Sequence, residues 1–233
     1  VCWPWFSVFD RNPQSVKAMR QSDKPAGAHG FARTALWELT VIEMEGQALR
    51  VDLALPIPTT GFPEWPHQVE LKISLLLDDQ LHIQLTSHNR GTYTVTLSQA
   101  LHTYFAVSDI RRVQVEGLDG LTYIDVADGW ISKQQSGLLN LTDETDRIYL
   151  KTPAQLNIID EVWHRRVQLT NQGSNSTVIW NPWMERSKDF DDMANDGWQG
   201  MLCIETANVL DDVTVLAPGE SYTLGSSITS ISL

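Results

Sequence analysis

The chain has 233 residues, 42% of them hydrophobic and 20% charged, which suits a folded globular protein with a sizeable core and excludes disorder. Its 17 Lys and Arg against 29 Asp and Glu give a net charge of -12, which repels a polyphosphate backbone and argues against nucleic acid as a partner. A small anion beside a local arginine stays open, because exposed charges are screened beyond about 8 Å at physiological ionic strength.

The first residues, Val1-Cys2-Trp3-Pro4-Trp5-Phe6, form an apolar run that reads as the inside of a domain, so an N-terminal portion is expected to be missing. The turn-rich stretch that follows, to residue 33, reads as loop. Alternating apolar and polar residues predict strands over 37–44, 49–55, 69–77 and 81–89, the last two forming a hairpin about Asp78-Asp79. Residues 98–110 read as one extended strand, with Leu101, Thr103, Phe105 and Val107 on one side and His102, Tyr104 and Ala106 on the other. A second hairpin is expected over 113–126 about Asp119-Gly120. Further strands are expected over 147–151, 155–160, 165–171, 177–181, 200–208 and 221–230, with a short helix at 189–198. No long 3.6-residue period, internal repeat or linker interrupts this pattern, so a single all-β domain over 1–233 is expected, a large curved antiparallel β-sandwich.

Cys2 and Cys203 are the only cysteines and show no metal-type spacing, so a reducing, cytoplasmic setting is the simplest expectation, with one disulfide left open. No apolar run approaches the roughly 18 residues of a membrane span, and no signal-peptide pattern opens the chain, so no membrane association is expected. Phosphate-loop, zinc-protease and serine-hydrolase motifs are missing, and the paired aspartates lack the alternating oxygens of a calcium loop. No metal and no organic cofactor are therefore expected.

Nine tryptophans suit both a wide core and a sugar-binding groove, since an indole stacks on a sugar ring and donates a hydrogen bond. Trp180 and Trp183, with Trp3 or Trp5, are the candidates for a groove. His102 is either a structural strand histidine or a proton donor, because imidazole titrates near neutrality. Glu205 is either a salt-bridge partner or, if buried, a carboxylate whose raised pKa suits proton transfer. Arg33 could pair on the surface or grip a phosphate, and Asp146 could cap a turn and pair with Arg147 or bind a sugar. Asp109 could serve to orient the histidine strand.

Five segments occur in the order and context of one family: His29-Gly30-Phe31-Ala32-Arg33, Leu101-His102-Thr103-Tyr104-Phe105 with Asp109-Ile110, Thr145-Asp146-Arg147-Ile148-Tyr149, Trp180-Asn181-Pro182-Trp183 and Cys203-Ile204-Glu205. Together they resemble the glucose-6-phosphate 1-epimerase, or hexose-6-phosphate mutarotase, branch of the aldose 1-epimerase-like proteins. The resemblance implies a galactose mutarotase-like supersandwich that interconverts the anomers of a hexose 6-phosphate, a small-molecule substrate taken by a monomer without cofactor. It implies Glu205 as base, His102 as acid, and His29, Arg33, Asp146 and Trp180 as substrate contacts. The family's Arg-Gly-Gly turn before the opening aromatic segment is absent. A sugar-binding module without catalysis is the alternative. A glycoside hydrolase normally needs two carboxylates, where these motifs give one carboxylate and one histidine.

Overall fold

A computed structural model describes all of residues 1–233. In chain order the strands are β1 (Glu38–Glu45), β2 (Ala48–Leu55), β3 (Val69–Leu77), β4 (Leu81–Asn89), β5 (Val95–Leu97), β6 (Gln99–Leu101), β7 (Tyr104–Ala106), β8 (Val113–Glu116) and β9 (Thr122–Asp125). They continue as β10 (Ile131–Gln134), β11 (Leu139–Asn140), β12 (Thr145–Leu150), β13 (Gln155–Asp160), β14 (Arg165–Gln172), β15 (Ser176–Asn181), β16 (Met201–Asn208), β17 (Thr214–Leu216) and β18 (Ser221–Ser232). Two one-turn helices accompany them, α1 (Gln14–Lys17) and α2 (Trp183–Arg186). No helix is long and apolar enough to cross a membrane. Both cysteines are buried thiols, and no disulfide joins them.

The chain divides into two compact units. The first comprises Val1–Leu101, Gln172–Ser174 and Ala207–Ser227. There β1 to β4 form an antiparallel meander followed by the start of β18, and β5 pairs with β17. Strict alternation sends Leu55, Val69, Leu71, Leu85 and Leu224 into a core with Trp3 and Trp65, while Arg50, Asp52, Lys72 and Ser74 share the other face. The opening aromatic run is indeed interior, with Cys2, Trp3, Trp5 and Phe6 all buried.

The second unit comprises His102–Asn171, Asn175–Thr206 and Ile228–Leu233. It holds two strand sets, β11-β8-β13-β14 and β10-β9-β12-β15-β16 with β7 paired to β16. Val113, Val115, Leu156, Ile158, Val167 and Leu169 from the first set pack with Tyr123, Tyr149, Ile179, Leu202, Ile204 and Phe105 from the second. Apolar residues on the facing sides of two sheets make this unit a sandwich in its own right. The opposite face of the β12-β15-β16-β7 set is left for other work.

Three expected elements differ. The strand expected over 98–110 is broken at His102-Thr103 and ends in a turn at Ile110–Arg112, where the Asp109 carboxylate accepts the Arg111 backbone N–H at 3.0 Å. Asp109 is thus a local cap that also holds the Arg111 guanidinium at 2.6 Å. The hairpin expected over 113–126 does not form, because β8 pairs with β11 and β13 whereas β9 pairs with β10 and β12. Gly117, at φ +105 against Leu156, turns the chain out of β8 before the Asp119-Gly120 turn can fold it back. The short helix expected at 189–198 does not form; α2 lies earlier, directly after Pro182, and only 3-10 turns follow at Ser187–Asp189 and Gly197–Gly200.

Candidate active site

The register of β7 against β16 places Tyr104 opposite Cys203, and the Ile204 N–H bonds the Thr103 carbonyl at 3.3 Å. Continued by two residues, that register brings His102 to the level of Glu205. The side chains meet, with His102 Nε2 3.4 Å from Glu205 Oε1. Period two puts Leu101, Phe105 and Val107 in the cores and turns His102 and Tyr104 to the opposite face. That face continues across β12 and β15, where Asp146 lies directly opposite Trp180. The indole stands edge-on to the imidazole at 5.9 Å and to the Tyr104 ring at 6.1 Å, and Phe190 closes on it at 5.8 Å. His102, Glu205, Asp146 and Trp180, drawn from well-separated stretches of sequence, therefore share one face of the second unit.

The electrostatics are those of carboxyls kept from water. Glu205 is only 1% exposed, and its Oε2 has no hydrogen-bond partner in the protein. Burial, with the nearby charge of Asp146, holds its pKa well above the usual carboxylate range. Burial also raises Asp146 to about 7, reinforced by Glu144 and Asp125 and opposed by Arg186. The Arg147 pairing considered for Asp146 does not occur. Alternation sends Arg147 to the other face, where its guanidinium lies over the Tyr123 ring at 4.8 Å.

The position of Trp180 rests on its neighbours. The Asn181 side chain accepts the Trp183 N–H at 2.8 Å and donates to the carbonyls of Trp198 and Met201 at 2.8 and 2.9 Å, tying both ends of the 182–200 excursion to the sheet. The other tryptophans considered for a groove are packing residues. Trp3 and Trp5 are buried, the Trp3 N–H donating to Ser87 at 3.1 Å, and Trp183 packs against Trp198 at 4.5 Å. Composition alone does not separate an indole that fills a core from one that faces a ligand.

His29 and Arg33 lie together in the first unit. The backbone of Trp3 clasps their loop, its carbonyl accepting from Phe31 and Ala32 and its N–H donating to the His29 carbonyl. His29 and Gly30 both adopt positive φ, 63° and 69°. A Cβ on Gly30 would fall 2.0 Å from the Trp3 carbonyl oxygen, so Gly30→Ala is expected to destabilise the protein by about 3 kcal/mol or more in urea unfolding. The Ser7 backbone N–H donates to His29 Nδ1 at 3.2 Å, which places the ring proton on Nε2. Burial and the charge of Arg33 lower the His29 pKa to about 4. His29 is thus a neutral hydrogen-bond donor near pH 7 and a poor proton source. Arg33 is exposed and makes no ion pair, so the surface pairing considered for it does not form.

A concave patch of about 390 Å³ on the polar face of the first unit is lined by Arg50, Ser74, His82, Gln84 and Ser227 among others. Arg50 is engaged with Glu45 and with Asp52 beyond the patch, at 2.8 and 2.7 Å, and His82 with Ser227 at 2.7 Å. It offers no paired acid and base such as His102 and Glu205.

The pattern that defines the family described as aldose 1-epimerase matches residues 5–229. The chain belongs to the aldose 1-epimerase family. It is 36% identical over 211 residues to the "Putative glucose-6-phosphate 1-epimerase" of Escherichia coli (strain K12), covering 89% of this chain and 65% of that protein. A protein of the same name from Cenchrus ciliaris is 33% identical over 208 residues, covering 83% and 62%. The chain thus spans somewhat less than two thirds of the length of these curated relatives. Among solved structures it superimposes on a "putative mutarotase" from Salmonella typhimurium with a TM-score of 0.85 at 27% identity, over 100% of this chain and 73% of that one. A galactose mutarotase-like protein from Clostridium acetobutylicum, at 16% identity and a TM-score of 0.74 over 99% and 78%, shows the same fold. The all-β, galactose mutarotase-like architecture of this family member agrees with the expectation from its sequence.

Proposed function

We propose that this aldose 1-epimerase family member interconverts the α and β anomers of a hexose 6-phosphate, with Glu205 as base and His102 as acid. The observation that carries this reading is the 3.4 Å approach of His102 Nε2 to Glu205 Oε1 on a face away from the packed core. Ring opening removes a proton from the C1 hydroxyl and delivers one to the ring oxygen. Both oxygens are bonded to C1, so donor and acceptor must work almost side by side. The Glu205 carboxylate takes the hydroxyl proton as the C1–O5 bond breaks, and the His102 imidazolium protonates O5. Rotation about C1–C2 turns the aldehyde. In closure O5 returns its proton to the imidazole as it attacks C1, and the Glu205 carboxyl gives its proton to the carbonyl oxygen. A buried carboxyl with a raised pKa is a stronger base than an exposed one, which suits the first transfer. Trp180 offers an apolar ring and Asp146 an acceptor for sugar hydroxyls.

The phosphate preference rests on Arg33, whose uncommitted guanidinium can take two phosphate oxygens at once, and on the curated relatives named for glucose 6-phosphate. The neutral His29 donates to a sugar or phosphate oxygen. Two-dimensional NMR exchange between anomers, with glucose and with glucose 6-phosphate, tests the whole reading. Accelerated exchange of the phosphate ester is expected, with Arg33→Ala losing about tenfold or more on that substrate and little on glucose. Binding of sugar without acceleration would instead make the chain a carbohydrate-binding module.

A further inference from the structure

We propose that Tyr104 is a positioning residue for His102, holding the imidazole by face-to-face stacking so that Nε2 stays directed at Glu205 and the imidazolium form stays available. This inference rests on the acid–base reading above. The two rings are 4.9 Å apart and only 11° from parallel. Residues two apart in a regular strand share a face but stand side by side, about two strand rises apart. Here the strand is interrupted at His102-Thr103, between β6 and β7, and the break lets the rings stack. Because they are parallel, the single Trp180 indole meets both edge-on, at 78° and 79°. One imidazole face is therefore covered by Tyr104, and Trp180 stands across both rings.

Tyr104 is 56% exposed, so its own burial does not explain the arrangement. An aromatic face attracts a cation, and at an exposed site that attraction favours imidazolium over imidazole modestly. Within this unit Glu205 is in contact with the imidazole, Asp146 acts on Glu205, and Arg186 acts on Asp146. The Glu205 carboxylate meets the ring at Nε2 alone, a contact that restrains the plane of the imidazole less than a face-to-face stack does. The stack supplies that restraint, and a proton donor whose ring swings loses the geometry that makes transfer fast.

Tyr104→Leu removes the aromatic face at a largely exposed position and Tyr104→Phe keeps it. The expected result is that Leu lowers kcat about tenfold with KM nearly unchanged and moves the NMR titration midpoint of the His102 ring down by roughly half a pH unit, while Phe restores both. The ring titration needs no turnover, so it decides the inference even if the wild-type protein fails to interconvert anomers. A His102 ring signal that titrates identically in the wild type and the Leu variant overturns the stacking role. A Phe variant that behaves like Leu overturns it too, since the hydroxyl and not the ring face would then be responsible.

Discussion

Replacing Glu205 by Gln is expected to lower kcat for anomer interconversion by about 10²–10⁴ and at the same time to make the protein more stable above neutral pH. The loss follows from the role proposed for Glu205: Gln has nearly the shape of Glu but cannot take the C1 proton. The gain follows from burial. Glu205 is wholly buried with one oxygen unpartnered, and its pKa is raised in the folded state. A raised carboxyl pKa means that the folded protein holds the proton more tightly than the unfolded chain. Stability is then unaffected below the unfolded value of about 4.3 and falls as pH rises toward the folded one. Gln does not ionise, so the Tm difference in favour of the variant should be small near pH 4 and grow through neutrality. The His102 ring at 3.4 Å offsets part of the cost of the ionised form. Calorimetry from pH 4 to 8, with exchange NMR for kcat, checks both halves. A variant that keeps its activity would remove Glu205 from the mechanism, and one equally stable at all pH values would contradict its buried ionisation.

How far this site could be read from sequence depended on whether neighbours were local or distant. The β1 to β4 meander was legible because period-two alternation and the Asp78-Asp79 turn are local signals that the registers repeat residue by residue. The orientation of His102 away from Leu101 and Phe105 followed from the same alternation. The interruption at His102-Thr103 was not visible, because it reflects a change of pairing partners in the sheet. The separation of β8 from β9 was hidden in the same way: Asp119-Gly120 looks like a hairpin turn, and only the left-handed Gly117 two residues earlier signals that the chain leaves its strand. Glu205 entered as a carboxylate in an apolar run, a pattern that fits an edge ion pair equally well until the depth of β16 is known. Its ring companions split likewise. Trp180 carried a motif, Tyr104 was visible only as the next residue but one on the histidine's side, and Phe190, inside an aspartate-rich stretch, gave no signal at all.

Asp146 sets the second large effect, since its charge opposes the ionisation of Glu205. Burial raises Asp146 to about 7, with Glu144 and Asp125 adding to the rise and Arg186 opposing it. In Asp146→Asn the negative charge is gone, so Glu205 loses its proton at lower pH. If Glu205 is the base, the acidic limb of the kcat/KM profile must move down with it. Wild-type stability should fall between about pH 4 and 7, as the folded protein is forced to give up a proton it holds more tightly than the unfolded chain does. From 3.8 to about 7 the shift corresponds to at most about 4 kcal/mol, absent from the Asn variant. The Asp146→Asn protein should therefore match the wild type near pH 4 and exceed it by a few kcal/mol at pH 8. Urea titrations at the two pH values measure that difference. The pH–rate profile then decides the assignment of roles: an acidic limb that stays in place when Asp146 is neutralised would mean that the base is not Glu205, because no carboxylate wholly buried on the same face could be indifferent to the loss of that charge.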